Sequence, residues 1–447
     1  ARWGIELSAH AMAYVWPCFL AIPNLVGVAL AYTFAGRLAD VLGRMRAVVF
    51  VGPLLMLVSG SAFYLSSVCD SVVLLFLGYL LMRSSFGLTE PIQTAYLVEI
   101  SPQHLRGAVS ALNFGVRPLA AVAGSVLAHG RVFGNERQWG LPFLLMNGAT
   151  LLGLFCCLFL LPESPKWLYL TRGDQDKAVK SLKTFNVPEE KIEAILSAYR
   201  AEQLAVSRAD ANSRVRMSQL LFAKPFRRLV LVAFLVSLTW PLCCAVLTIV
   251  YSTVYFQAAG MSIHEAQTYT AITLAASLLG GLISANVVER FPRRAYVLWG
   301  QTLTNLFLYT AAFFGLVQHH WTAVVCALAI VCSTAFASAA RDVSQFFASE
   351  ITVTRYRAPA TAFGFVVRQA AFLPEVWIFN PLLYYLGTAC LLPWAILNTL
   401  VTLALYFLMP ETRNRLPDDI FRQLVPEADD GETRPLLQDG RRAKEEG

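Results

Sequence analysis

Two apolar runs frame the first informative stretch of the chain. No charged side chain occurs from Met12 to Ala35, or again from Ala47 to Val68. Between them lies "GRLADVLGRMR", residues 36–46, with Arg37, Asp40, Arg44 and Arg46 in one short gap. The same alternation continues along the chain. Predominantly apolar stretches of about 20 residues, the length that spans a bilayer as a helix, are centred near residues 24, 57, 84, 118, 151, 242, 278, 306, 335, 368 and 398. The pattern predicts an all-α membrane protein with about eleven transmembrane helices.

Composition agrees with that reading. The 447 residues are 56% hydrophobic and only 15% charged, too few charges to cover a soluble surface of this size. The net charge of +7 is spread over loops beside the apolar runs, so it is a membrane-flank signature rather than a nucleic-acid footprint. Alternate loops carry the basic residues: Arg37, Arg44 and Arg46; Arg106; a charged stretch from Lys166 to Arg228; Arg290, Arg293 and Arg294; Arg355 and Arg357. The intervening loops hold little beyond Arg131 and Arg137. By the positive-inside rule the basic loops and the C-terminus face the cytoplasm.

The chain also repeats itself. "EISPQHLRGA" from Glu99 returns as "EITVTRYRAP" from Glu350, each with Glu seven residues before Arg (Arg106 and Arg357). "DVLGR" from Asp40 returns as "ERFPR" from Glu289, and "LPES" from Leu161 as "MPET" from Met409. Three short matches in one order, at offsets of 251, 249 and 248 residues, mark a duplicated half. Such parallel halves are a known transporter architecture. The expected layout is an N-terminal bundle over 1–162, a cytoplasmic linker with short helices over 163–227, a C-terminal bundle over 228–410 and a mostly disordered cytoplasmic tail over 411–447. Subtracting 250 from Leu229–Phe256, the first helix of the second half, places its counterpart at or before residue 6. The chain is therefore read as lacking the first of twelve helices. The alternative is a natural eleven-helix chain with its termini on opposite sides.

At these motifs the chain resembles the major facilitator superfamily and, within it, the sugar-porter (facilitative glucose transporter-like) family. Gly36, Leu38, Ala39, Asp40, Gly43 and Arg44 match the superfamily signature between helices 2 and 3. "PESPKWL", Pro162–Leu168, matches the family motif after helix 6, "VERFPRR" resembles that between helices 8 and 9 with Pro292 in place of Gly, and "MPETRNR" resembles the family's ending. The resemblance implies two six-helix bundles that open a central site alternately to each side, carrying a hexose or sugar-like solute, most simply by facilitation. It also implies a cytoplasmic gate built from Gly36, Asp40, Gly43, Arg44, Glu99, Arg106, Glu163, Glu289, Arg293, Arg294, Glu350, Arg357 and Glu411.

The substrate positions depart from that family. Its helix 7 amide motif falls on "WPLCCAV", from Trp240; its helix 5 Gln falls on Phe114; its helix 11 Asn-Trp pair falls on Arg368 and Gln369. Charges appear instead. Glu90 lies nine residues before Glu99 and Arg341 nine before Glu350, while Arg117 and Arg368 lie eleven after Arg106 and Arg357. At a 1.5 Å rise these are roughly 14–16 Å from the cytoplasmic helix ends, near mid-membrane, where charge is costly. Asp342 adds an acid, and Arg83 lies two turns before Glu90. Either these charges pair and lock helices together, or an Arg binds an organic anion or carboxylate. The candidate substrate residues are thus Glu90, Phe114, Arg117, Trp240, Arg341, Asp342, Arg368 and Gln369.

Little else carries chemistry. The nine Cys show no metal-ligand spacing and read as packing residues, and no catalytic constellation, metal site or cofactor motif stands out, so an enzyme is not expected. The rival to a carrier is a solute receptor that binds without transporting. The expected partners are a small-molecule solute and membrane lipid. "ETRPLL" in the tail, with Glu432, Leu436 and Leu437, resembles an acidic dileucine signal that a clathrin adaptor reads, which allows an endosomal or lysosomal as well as a plasma-membrane address.

Overall fold

A computed structural model of the chain describes residues 9–101, 118–208, 224–287, 290–317, 319–352, 354–413 and 417–425. Among these residues the ordered elements are all helical. They are α1 (Ala9–Leu30), α2 (Gly36–Leu42), α3 (Gly52–Cys69), α4 (Val72–Ile100), α5 (Pro118–Leu127), α6 (Leu141–Leu160), α7 (Pro165–Leu170), α8 (Gln175–Thr184) and α9 (Glu189–Arg208). They continue with α10 (Arg227–Leu242), α11 (Ala245–Ala258), α12 (Ile263–Val287), α13 (Arg293–Leu316), α14 (His320–Glu350), α15 (Thr354–Leu386), α16 (Leu392–Leu408) and α17 (Pro417–Leu424). Each of the eleven expected span centres falls on one of these helices. Among the described residues, seven helical segments are long and apolar enough to cross a membrane.

The apolar residues are not all inside. Leu152, Phe155, Phe159 and Leu160 of α6 are more than 60% exposed, as are Phe313 of α13 and Phe407 of α16. A soluble protein seldom exposes such a continuous apolar face; hydrocarbon is its natural solvent. Helices suit that setting because they satisfy their own backbone groups.

The chain forms two compact units, one of residues 1–213 with 376–384, the other of 214–375 with 385–447. Their internal packing is the same. In the first, α1 packs on α4, α4 on α3, and α3 on α6; in the second, α12 packs on α14, α14 on α13, and α13 on α16. The sequence repeat is therefore a repeat of helix contacts.

Both units achieve close packing at a glycine. A Cβ on Gly87 of α4 would lie 2.0 Å from the carbonyl oxygen of Gly27 in α1, and one on Gly27 would lie 2.5 Å from that of Arg83. In the second unit, a Cβ on Gly280 of α12 would lie 2.2 Å from the carbonyl oxygen of Ala335 in α14. Small residues let helix backbones meet where no hydrophobic effect drives them together. Each unit also uses a buried Asn as glue. Asn147 of α6 donates to the Leu57 carbonyl (3.1 Å) and the Ser61 hydroxyl (3.3 Å) of α3. Asn398 of α16, fully buried, donates to Gln301 Oε1 (2.9 Å) and Asn305 Oδ1 (2.8 Å) of α13. Such interhelical bonds contribute about 0.6 kcal/mol on average.

The short helices between the two halves have their own small core. Leu182 of α8 packs with Ile192 and Leu196 of α9, and Trp167 and Leu168 of α7 with Ala178 of α8. Asp174 caps α8, accepting from the Lys177 amide (3.0 Å) and ammonium (2.6 Å). The Lys177 side-chain hydrogen bond, with the backbone one, holds the Asp174 carboxyl below its usual range.

The glycine crossing gives a direct test. Gly87→Val must push α1 from α4, and it is expected to abolish the monodisperse, folded protein in detergent. Gly36→Ala, where a Cβ meets nothing within 4 Å, is expected to leave size-exclusion behaviour and thermal stability unchanged.

Candidate gate and solute site

The turn at "GRLADVLGRMR" is closed by three acids from three segments. Gly43 ends α2 in a conformation only glycine adopts freely, with φ of 103°. A Cβ there would also lie 2.3 Å from Glu163 Oε2. The chain then restarts as one helical turn, Arg44–Arg46, before continuing into α3. The first amides of that turn have no carbonyl behind them. Glu163 takes them: the Met45 amide donates to its Oε1 (2.8 Å) and the Arg46 amide to its Oε2 (3.3 Å). A carboxylate at a helix N-terminus also meets the positive end of the helix dipole.

Arg44 joins two further acids. Its Nη1 lies 2.8 Å from Asp40 Oδ1 and also donates to the Ala39 carbonyl (3.0 Å), while its Nε lies 3.4 Å from Glu99 Oε1 of α4. The Asp40 side chain is 62% exposed, that of Glu99 16%. The inner pair is consequently the less screened by water. Glu99 Oε2 in turn accepts a hydrogen bond from Ser164 Oγ, and Ser164 Oγ caps α7 by accepting from the Trp167 amide (3.2 Å). Trp167 Nε1 donates back to the Asp40 carbonyl (3.2 Å), Arg172 lies over the Trp167 ring, and Tyr96 of α4 donates to the Pro162 carbonyl (2.7 Å). "PESPKW" thus threads the ends of α2, α3 and α4 together.

The second unit repeats the central contact. The Arg293 and Arg294 amides at the start of α13 donate to Glu411 Oε1 (2.9 Å) and Oε2 (3.2 Å). Met45 to Arg293, Arg46 to Arg294 and Glu163 to Glu411 are each 248 residues apart. Around Glu411, Arg413 donates from its amide to Oε1 (2.9 Å) and from Nη1 to the Arg290 carbonyl (2.8 Å). Arg294 donates to the Tyr406 carbonyl and lies over that ring.

The expected gate residues are therefore distributed as follows. Asp40, Gly43, Arg44, Glu99 and Glu163 meet in one network, with Gly36 at the start of α2. Arg293, Arg294 and Glu411 meet in the second. Arg106 and Glu289 lie outside the described residues, and Glu350 and Arg357 sit at the end of α14 and in the first turns of α15, their side chains not described. Ser164, Trp167, Tyr96, Tyr406 and Arg413 belong to these networks without having been singled out from sequence, although three of them stand inside the quoted motifs.

Of the solute-site candidates, Phe114 and Arg117 lie outside the described residues, as does the side chain of Asp342 on α14. Glu90 of α4, Arg341 of α14, and Arg368 with Gln369 of α15 are half-buried. Glu90, Arg341 and Arg368 are each engaged by a neighbouring group. Trp240, near the end of α10, stacks on Phe372 of α15, ring centroids 6.5 Å apart and planes 14° apart. Its indole Nε1 is buried without a hydrogen-bond partner. A buried donor without an acceptor is expensive, and next to an aromatic face it is what a hydroxylated ligand would complete. Sequence reasoning missed Phe372.

Just beyond Trp240 the helix breaks. Pro241 lies in the last turn of α10, Cys244 adopts a left-handed backbone (φ 55°, ψ 17°), and α11 starts at Ala245. A non-glycine residue held there costs about 1–2 kcal/mol, so the surrounding packing fixes the break.

Comparison with known proteins gives one answer. The family model described as Sugar (and other) transporter matches residues 6–422. The facilitated glucose transporter member 2 of solute carrier family 2 from Gallus gallus is 26% identical over 423 residues, covering 93% of this chain and 76% of that protein. The facilitated glucose transporter protein 1 of Caenorhabditis elegans is 26% identical over 400 residues, covering 84% and 74%. Human facilitated glucose transporter member 4 is 31% identical over 291 residues, covering 64% and 54%. Among solved structures, the inward-open xylose transporter XylE from E. coli superposes with a TM-score of 0.73 at 16% identity, covering 93% of this chain and 90% of that one. The proton:xylose symporter XylE bound to 6-bromo-6-deoxy-D-glucose gives 0.70 at 17% identity, covering 95% and 92%. The fold is that of the major facilitator superfamily.

The repeated carboxylate contact predicts matched effects. Glu163→Ala and Glu411→Ala should each lower thermal stability by about 1–3 kcal/mol, the cost of leaving amides without acceptors. Hydrogen exchange should accelerate at Met45 and Arg46 in the first variant and at Arg293 and Arg294 in the second. Asp40→Asn, at an exposed site, should change stability far less.

Proposed function

Because the chain belongs to the Sugar (and other) transporter family, whose members are multi-pass membrane transporters and not enzymes, we propose that it carries a hexose or similar hydroxylated solute by alternating access. The observation that carries the sugar reading is the buried, partnerless Trp240 Nε1 beside the Phe372 ring. An aromatic face with a single inward donor suits the apolar face and hydroxyls of a sugar. The names of the glucose-transporting relatives point the same way. The engagement of Arg341 and Arg368 by neighbouring groups weighs against the organic-anion alternative.

Within this reading the two acid networks are cytoplasmic latches. Asp40, Arg44, Glu99 and Glu163 hold the ends of α2, α3 and α4 as one piece on the side facing the cytoplasm. Glu411 with Arg293 and Arg294 does the same for α13 and α16. Charge-assisted bonds of roughly 1–3 kcal/mol are strong enough to bias two states tenfold and weak enough to break each cycle. The bundles 1–162 and 228–410 are the proposed rocking bodies, and 163–227 the clasp between them.

The compartment is a separate proposal. Glu432, Leu436 and Leu437 lie outside the described residues. As an acidic dileucine signal in a cytoplasmic tail they would bind a clathrin adaptor and direct the protein to endosomes or lysosomes. Leu436→Ala with Leu437→Ala is expected to shift a fluorescent fusion to the cell surface; an unchanged distribution leaves the plasma membrane as the address.

Uptake into proteoliposomes tests the main reading. Labelled D-glucose and D-xylose are expected to enter and to be displaced by one another. Trp240→Ala should raise KM at least about tenfold, the equivalent of one lost buried hydrogen bond, while Arg44→Ala should lower the rate with KM nearly unchanged. A screen in which only organic anions enter would replace the sugar reading with the anion one, and binding without flux would make the chain a receptor.

A further inference from the structure

Among the described residues, one fully buried acid lies outside both latches and outside the solute site. Glu375 of α15 is fully buried, and both its carboxyl oxygens lack a hydrogen-bond partner. No charged group among the described residues acts on it. The group that feels its charge is a thiol. Cys244, at the break between α10 and α11, interacts electrostatically with it, close in sequence to the Trp240–Phe372 stack on both helices. Phe372 and Glu375 are one turn apart on α15, and Cys244 stands just beyond the end of α10, the helix that carries Trp240. Cys244 is also coupled electrostatically to Cys243, Cys390 and Tyr255 of α11, and the Tyr255 hydroxyl accepts from Cys326 Sγ (3.7 Å) and donates to the Thr388 carbonyl (3.3 Å). Cys244, Cys326 and Cys390 are fully buried.

An ionised carboxylate cannot remain in such a place, since nothing there replaces its water. A metal cation is no better, because sodium and its relatives need several oxygens, and among the described residues no other polar group is bonded to either Glu375 oxygen. A proton needs one oxygen only. The seam at the Trp240–Phe372 stack is also built to part. Pro241 and Pro374 each leave a carbonyl of their own helix without an amide partner, and Cys244 holds a strained backbone. Opening the seam would admit water to Glu375, and with water it ionises.

We propose that Glu375 is a proton-binding site of the transport cycle, loaded when the seam is closed and unloaded when it opens, so that solute movement is linked to proton movement. The proton arrives from water on one side, forms the carboxyl O–H bond, and leaves to water on the other side; no other bond changes. This rests on the transporter reading above and replaces simple facilitation with a proton-linked cycle. Acid on the side from which Glu375 loads favours the closed, protonated state.

The test uses the full-length protein in proteoliposomes with labelled D-glucose as probe. Wild-type uptake is expected to rise severalfold under an inward proton gradient, with sodium replaceable by choline. Glu375→Gln should still exchange D-glucose across the membrane but lose the gradient effect. Glu375→Asp should retain it. Equal gradient dependence in wild type and Glu375→Gln, or a requirement for sodium instead of protons, would overturn the proposal. If D-glucose does not enter at all, it is the sugar reading that has failed. Infrared difference spectra between acid and alkaline buffer then decide the proton site. A protonated-carboxyl band that titrates in the wild type and vanishes in Glu375→Gln, or shifts in frequency in Glu375→Asp, upholds it, and the absence of that band refutes it.

Discussion

A helix that begins inside a protein presents amides with nothing behind them to accept their hydrogen bonds. Beside a membrane, water cannot be counted on to take them. This chain meets that constraint twice with the same device, a carboxylate reaching across 118 residues of sequence to the start of a helix: Glu163 to Met45, and Glu411 to Arg293. Much of each unit's polar end depends on it. Ser181 Oγ donates to the Glu163 carbonyl, so α8 is attached there too. Without Glu163 the Gly43 turn, the capped α7 and the Arg44 pairs would lose their common anchor.

Away from these ends, the units are held by geometry rather than by apolar drive. Lipid offers Leu and Phe as good an environment as a neighbouring helix does, so contact requires close fit or polar partners. Gly27, Gly87 and Gly280 supply the fit; Asn147 and Asn398 supply the partners. The placement of polar groups is correspondingly economical. Asn398 sits one turn from Thr402, whose hydroxyl bonds the Asn398 carbonyl (2.7 Å), so even this buried cluster uses its own helix for support.

The sequence disclosed the fold almost completely, and for a physical reason. Span length and charge segregation are imposed by the bilayer, so the eleven helix centres and the duplicated half could be read without knowing any contact. The acids proposed as a gate were legible because they sit in motifs that recur about 250 residues apart. What they bind was not. Glu163 and Glu411 bond backbone amides, which have no letter in the sequence, and the motif charges suggested side-chain pairs instead. Phe372 was illegible for a different reason: a Phe in an apolar helix carries no mark that it stacks on Trp240. Glu375 did carry a mark, a lone acid in the run from Gln369 to Tyr385. Attention to charges aligned with the repeat passed over it, because it has no counterpart at the repeat offset.

The gate turn is bracketed by two π-helical turns, Ala31–Ala35 before α2 and Ala47–Val51 after the Arg44 turn. Each holds one residue more than an α-turn does. Ala35, Ala39 and Ala47 are buried together against Ile92, with Leu38 and Val48 packed on them. A surplus residue on either side is slack in the sequence: a one-residue change there alters the width of the turn rather than the phase of α1 or α3. The Glu163 contact and the wide turns around it are thus neighbouring features of one connection, and a single inserted or deleted residue should be absorbed in phase within 31–35 or 47–51, where the same change beside Gly43 and Met45 or in the middle of α3 could not be.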